Sequence, residues 1–365
     1  MILEIVFILA GVTAGVVTGL IPGLHANLVS AVLLGMFPSY PAVVFVVSLA
    51  VTHTVVDAIS ISILRAGNDD IVAAVPSTVN AAKLMIEGSA AGLITSLLLA
   101  PALWFVLPAL YGFVKPATAP LLIIALLILI IREPSNKLRM YAMIVVFLSG
   151  LLGLAALSKN LNEPLLPLLS GLFGIPGLLF ENSKTSKIEG RTTFKKILFS
   201  SLLGVLASGM LLLLPSLGPG QAAQLISPLI PNGSTYLSLV GGINTIDFVL
   251  STLMAATTGN SRNGSLELSS RIVSLNAHLL GIIAVAGGLS ILIGLLLLKI
   301  KFVPDINFKL GIIVFISLLT LWFDQLSGVL ILITSSMIGS LALKSEVNRT
   351  HCMACLIIPT ITYFL

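Results

Sequence analysis

Between Ala90 and Phe113 the chain runs without one charged side chain, and Met140–Ser158, Leu198–Leu214 and His278–Leu298 repeat the pattern. Runs of about 20 apolar residues are what a helix needs to cross a bilayer. No soluble core asks for so many of them. The runs are continuous and do not alternate, which makes helices and not a barrel the spanning element. Only 9% of the 365 residues are charged, against roughly 25% in a soluble domain. The chain is therefore an all-α polytopic membrane protein with little outside the bilayer. The opening "MILEIVFILA" lacks the positive start of a signal peptide and reads as a retained first span.

The net charge of +5 does not point to nucleic acid. Lys and Arg lie in short loops, where they set membrane orientation. Four loops are basic: Arg132–Arg139, Glu181–Lys196, Lys299–Lys309 and Lys344–Arg349. Met140–Ser158 and Leu165–Phe180 separate the first two, and Leu310–Phe323 and Leu326–Leu343 separate the last two. Each pair of loops thus lies on one side, which the positive-inside rule makes cytoplasmic. The N-terminus is then expected outside, in a multi-pass protein of the cell membrane. Matching elements of the two halves run in opposite directions.

The halves also match in sequence. "PGLHANLVS" (Pro22–Ser30) aligns without gaps on "PGQAAQLIS" (Pro219–Ser227). Farther on, "THTVVDAIS" (Thr52–Ser60) aligns with "GINTIDFVL" (Gly242–Leu250), pairing Asp57 with Asp247 and Thr54 with Asn244. Then "GSAAGLITS" resembles "NAHLLGIIA", pairing Gly92 with Gly281. Two copies in opposite orientation predict an inverted repeat, the layout of many secondary transporters. The expected organisation is a first repeat over 1–185 with a re-entrant hairpin near 19–36, a basic linker over 186–196, and a second repeat over 197–365 with its hairpin near 215–231. About 10–12 membrane segments follow from this reading.

Pro22 and Gly23 predict a break before a short helix, Leu24 to Met36. About a dozen residues at 1.5 Å each cannot cross a hydrocarbon core of ~30 Å. Such a segment turns back and is tolerated only where protein or water covers its backbone. Its first N–H groups carry a partial positive charge and favour an anion. Gln221–Ile230 supplies the second half-helix. Pro22, Gly23, His25, Asn27 and Ser30, with Pro219, Gly220, Gln221, Gln224 and Ser227, are the candidate substrate-binding residues. Asn27 and Gln224 suit capping or bridging equally well.

His53 and Asp57 are four residues apart, on one helical face. With Thr54, and with Asn244, Thr245 and Asp247 from the second copy, they form the candidate ion-coupling set. Ionisable groups inside a span are expensive and face partners or a wet cavity. An Asp here binds Na⁺ or exchanges a proton, or pairs internally to hold helices together. Arg65 and Arg262 are candidate anion clamps, with loop anchoring as the simpler reading. Asp69 and Asp70 read as helix-end charges in a wet loop. Cys352 and Cys355, in "HCMAC", read as small apolar residues, because a lone Cys pair lacks further metal ligands. No resident cofactor and no enzyme motif is expected: there is no Gly-x-Ser-x-Gly, no Walker loop and no His-Glu-x-x-His.

"GLIPGLHANLVS" and "SLGPGQAAQLIS" resemble the large membrane subunit family of tripartite tricarboxylate transporters. That family carries paired Pro-Gly motifs in two inverted halves. The resemblance implies a periplasmic binding protein or a small membrane subunit as partner. The Pro-Gly hairpins are also similar to those of polyprenyl-phosphate translocases. The expected function is an ion-coupled secondary transporter for a small organic anion of the carboxylate class, coupled to Na⁺ or H⁺. The alternative is a polyprenyl-phosphate flippase, whose substrate is a lipid phosphate. A scaffold does not need polar groups at midplane depth. Membrane lipids surround the chain in every reading, and homo-oligomers are compatible with all of them.

Overall fold

The computed structural model describes residues 2–64, 70, 75, 78–180, 192–300 and 305–365. Arg65 and Asp69 lie outside the described residues, as does most of the linker expected at 186–196. The described residues form helices joined by short turns and loops, with no strand among them. Among the described residues, eight helical stretches are long and apolar enough to cross a membrane.

The elements run α1 (Ile2–Leu20), α2 (Ala26–Met36), α3 (Tyr40–Leu64), α4 (Val79–Val114), α5 (Thr118–Ile131) and α6 (Asn136–Leu157). Then come α7 (Leu165–Leu169) and α8 (Ile175–Phe180), joined by a π-helical stretch, Ser170–Gly174. The second half continues with α9 (Phe194–Leu213), α10 (Pro219–Ile226), α11 (Gly233–Thr258), α12 (Gly264–Ser270), α13 (Ala277–Leu297), α14 (Ile306–Lys344) and α15 (Ala354–Phe364).

Burial is inverted relative to a soluble protein. Phe113 is 84% exposed and Trp322 82%, while His53, Asp247 and many Ser and Thr side chains are buried. Large apolar side chains facing outward suit lipid, not water. The two most buried spans are α3 and α11, each with 83% of its most apolar stretch covered. These are the helices that carry Asp57 and Asp247.

Small residues let the central helices approach closely. Gly11, Gly15 and Gly19 recur every fourth residue along α1, on the face toward α3. A Cβ at Gly15 would sit 2.5 Å from the Leu49 carbonyl oxygen. On α4, a Cβ at Gly88 would sit 2.0 Å from the Ser238 carbonyl oxygen of α11. The Ser89 hydroxyl donates to the Gly241 carbonyl at 2.9 Å, adding a bond between the same two helices. Without a hydrophobic drive between helices in lipid, such close packing and cross-helix bonding is what holds them.

Two details of the glycine packing and of α14 stand out. Gly92 packs on Gly242, while Gly281 faces open space; the packed glycines of α13 are Gly287, against Leu93, and Gly294, against Ile86. The α14 stretch is one 39-residue run containing a single non-helical residue, Gln325, at φ 55° and ψ −150°. A Cβ at Gly328 would lie 3.0 Å from Thr320 Cγ2. Residues eight apart in a straight helix are separated by about 12 Å, so the chain doubles back at Gln325. The break falls between Phe323 and Leu326, where the sequence divides the two apolar runs.

Cys352 and Cys355 are free, buried thiols. Among the described residues no three His, Cys, Asp or Glu side chains come together as a metal set.

Candidate functional site

The first Pro-Gly motif breaks the helix as the sequence predicts. α1 ends at Leu20 and α2 begins at Ala26. Gly23 between them has φ +88°, and a Cβ there would lie 2.4 Å from Ile316 Cγ1. Both the backbone conformation and the space require glycine. His25 then caps α2: its Nδ1 accepts the Asn27 N–H at 3.1 Å. The His25 ring lies 5.1 Å from that of His53, and His53 Nδ1 is 3.1 Å from the Thr18 hydroxyl.

Asn27 and Ser30 reach across to the second half. Asn27 Oδ1 accepts both the backbone N–H and the hydroxyl of Ser265, each at 3.0 Å. The Ser30 hydroxyl donates to Ser265 Oγ at 2.8 Å. Together with Asn263, whose side chain accepts the N–H groups of Ser265 and Leu266, Asn27 caps the start of α12. Asn27 thus makes a capping contact and also lines the cavity described below.

The second motif behaves differently. Pro219 opens α10, and Gln221 folds back so that its Oε1 accepts the Gly218 N–H at 3.1 Å. Its Nε2 donates to the Thr350 carbonyl at 3.0 Å, and Gln221 is fully buried. The N–H groups of Gly220 and Gln221 donate to the two carboxylate oxygens of Asp70, at 2.9 and 2.7 Å. The N–H groups expected to favour a substrate anion thus meet a carboxylate of the chain itself. Asp70 is correspondingly buried, not a charge in a wet loop. At the other end of α10, Arg132 donates to the Gln224 carbonyl and, at 3.0 Å, to the Ser227 hydroxyl. Gln224 Oε1 accepts the Thr350 hydroxyl at 3.1 Å. An acid at its N-terminus and a base at its C-terminus satisfy the dipole of this short helix internally.

Most of the remaining predicted residues meet in one cavity of about 480 Å³. His25 and Asn27 line it from α2, and His53, Thr54 and Asp57 from α3. Pro219, Asn244, Asp247 and Arg262 line it from the second half. Asn244 Nδ2 stands 3.5 Å from Asp57 Oδ2, linking the two aligned regions directly. Asp247 Oδ2 accepts from the Arg262 guanidinium at 2.6 Å, and Arg262 also donates to the Leu217 carbonyl at 2.7 Å. Asp247 Oδ1 is buried with no hydrogen-bond partner among the described residues. The volume and the few convergent polar groups are those of a small-molecule site.

The other candidates lie elsewhere. Thr245 is buried on α11 and does not line the cavity. Gln224 and Ser227 line a separate cavity of about 610 Å³ beside the basic loops, with Arg132, Glu133 and Arg349. A third cavity, of about 400 Å³, shares Pro215, Ser261 and Arg262 with the central one. Sequence reasoning missed Asn263 as a lining and capping residue, although an Asn just before "GSLELSS" is an N-cap signal. Leu165, Met353 and Leu356 complete the apolar wall; nothing local marks them out.

Residues 5–261 match the family model described as the tripartite tricarboxylate transporter TctA family. The chain belongs to that family. The match takes in both Pro-Gly motifs, Asp57 and Asp247, and stops one residue short of Arg262. With eight stretches among the described residues long and apolar enough to cross a membrane, and membership of the TctA family, the chain is a multi-pass integral membrane protein of a transporter family. A protein of Methanocaldococcus jannaschii, described as uncharacterized, is 29% identical over an alignment covering 100% of this chain and 99% of that one. No solved structure matches the chain.

Proposed function

We propose that this TctA-family protein is an ion-coupled secondary transporter for a small organic anion of the carboxylate class, working by alternating access. The single observation behind this reading is the central cavity, where His25, Asn27, His53, Asp57, Asn244, Asp247 and Arg262 converge from the two aligned halves. Buried charge in a span is costly and is retained where an ion or polar substrate passes. The inverted-repeat arrangement, with α2 and α10 as re-entrant elements, would place this cavity near the membrane midplane, where one repeat rocks against the other. Asp57 and Asp247 are the candidate carriers of Na⁺ or H⁺. The family description supports a tricarboxylate as cargo and an accessory binding protein or small membrane subunit as partner. The basic loops favour a cell-membrane orientation with the N-terminus outside.

The test is uptake into proteoliposomes of a panel of di- and tricarboxylates, with and without Na⁺ and pH gradients. Gradient-driven accumulation of a carboxylate supports the reading. Absence of carboxylate movement, with translocation of a polyprenyl phosphate instead, overturns it.

A further inference from the structure

The ion pair between Arg262 and Asp247 stands where two cavities meet. Arg262 lines both the central cavity and the neighbouring one of about 400 Å³, while Asp247 lines the central cavity alone. The Arg262 and Asp247 side chains are 20% and 12% exposed, so both are largely withdrawn from solvent. Arg262 is anchored from behind by the Leu217 carbonyl, just before the Pro-Gly tip of α10. A guanidinium carries five N–H donors in a fixed fork suited to a carboxylate, and these two bonds use two of its nitrogens. Asp247 is held by one oxygen only; its other oxygen is buried and unpartnered among the described residues.

We infer that Arg262 is the group that receives the substrate's carboxylate, that Asp247 occupies the same guanidinium until substrate arrives, and that the displaced Asp247 takes up the coupling cation. This rests on the transport reading above and adds the coupling step to it. Charge balance carries the argument. The resident pair is neutral. A substrate carboxylate entering on Arg262 leaves Asp247 as an uncompensated charge in a low-dielectric site, which is strongly unfavourable. One monovalent cation, Na⁺ or H⁺, on Asp247 offsets the charge of the carboxylate that Arg262 now holds. Anion and cation therefore bind tightly only together, and this is the condition for cotransport. The other titratable groups facing the same space are Asp57 and His53 on α3 and His25 at the start of α2. Arg262 lies outside the matched family residues, so this assignment comes from the geometry of this chain.

The experiment is citrate binding by calorimetry to the purified full chain in detergent, across Na⁺ concentration and pH, for wild type, Asp247→Asn and the double variant Asp247→Asn/Arg262→Gln. The double variant removes both charges, so no lone charge is left buried to unfold the protein. The expected results are a citrate affinity that rises at least tenfold with the cation in wild type, loses that dependence in Asp247→Asn, and falls at least tenfold in the double variant relative to Asp247→Asn. Asp247→Asn retaining the full cation dependence, or the double variant binding citrate as well as Asp247→Asn, overturns the inference while leaving carboxylate binding intact. Wild type binding neither citrate nor any shorter di- or tricarboxylate overturns the inference and the proposed function together.

Discussion

The Asp70 carboxylate grips the backbone of Gly220 and Gln221, two residues some 150 positions away in sequence, through N–H bonds of 2.9 and 2.7 Å. It ties the second Pro-Gly tip to a distant part of the chain. A Cβ at Gly218 or Gly220 would lie within 3 Å of Asp70 atoms, so the glycines of this tip make room for the carboxylate.

Replacing Asp70 by Ala should leave buried N–H groups unmet at the start of α10. The expected loss of stability is about 1.5–3 kcal/mol, the worth of a hydrogen bond to a charged group. Thermal unfolding in detergent measures it. An unchanged melting temperature would show that water replaces the carboxylate without cost.

Gln224→Ala should leave carboxylate affinity within about twofold, since Gln224 lines the cavity beside the basic loops and bonds to Thr350. A tenfold loss in calorimetric binding would return Gln224 to the substrate site.

Asn27 has two duties that substitution can separate. Asn27→Asp keeps the Oδ1 acceptor for Ser265 but sets a negative charge beside the cavity. Folding should be retained and anion affinity should fall by roughly tenfold, or about 1.4 kcal/mol. Asn27→Ala should instead lower stability by about 1 kcal/mol through the lost α12 cap. Paired melting and binding curves distinguish the two effects.

The contact between α4 and α11 should be intolerant of even one methyl group. Gly88→Ala drives a Cβ to 2.0 Å from the Ser238 carbonyl oxygen, while a Cβ at Gly112 would meet nothing within 4 Å. Gly88→Ala is expected to destabilise by about 1–3 kcal/mol or more, and Gly112→Ala to be silent. Equal melting temperatures for the two variants would contradict the packing described.

The sequence by itself determined the membrane class, the helical content and the breaks at Pro22-Gly23 and after Phe323, and it singled out His25, His53, Asp57, Asn244 and Asp247 as polar or ionisable residues in apolar surroundings and Arg262 as a loop cation. These are local properties. Apolar run length, a missing N–H at proline, a glycine at positive φ and an ionisable group within a span are readable from neighbours alone. Tertiary structure decided the rest, because it turns on which distant residue arrives. Asn27 and Gln224 align in the two copies, yet one caps α12 beside the central cavity and the other lies along a different cavity. The two Pro-Gly tips look alike as text, but only that of α10 receives the Asp70 carboxylate. Asp70 itself reads as a loop charge until the fold buries it against backbone N–H groups. A hydrogen bond or ion pair between residues far apart leaves no periodic trace in the chain; it exists only once α3, α10 and α11 have packed and excluded water.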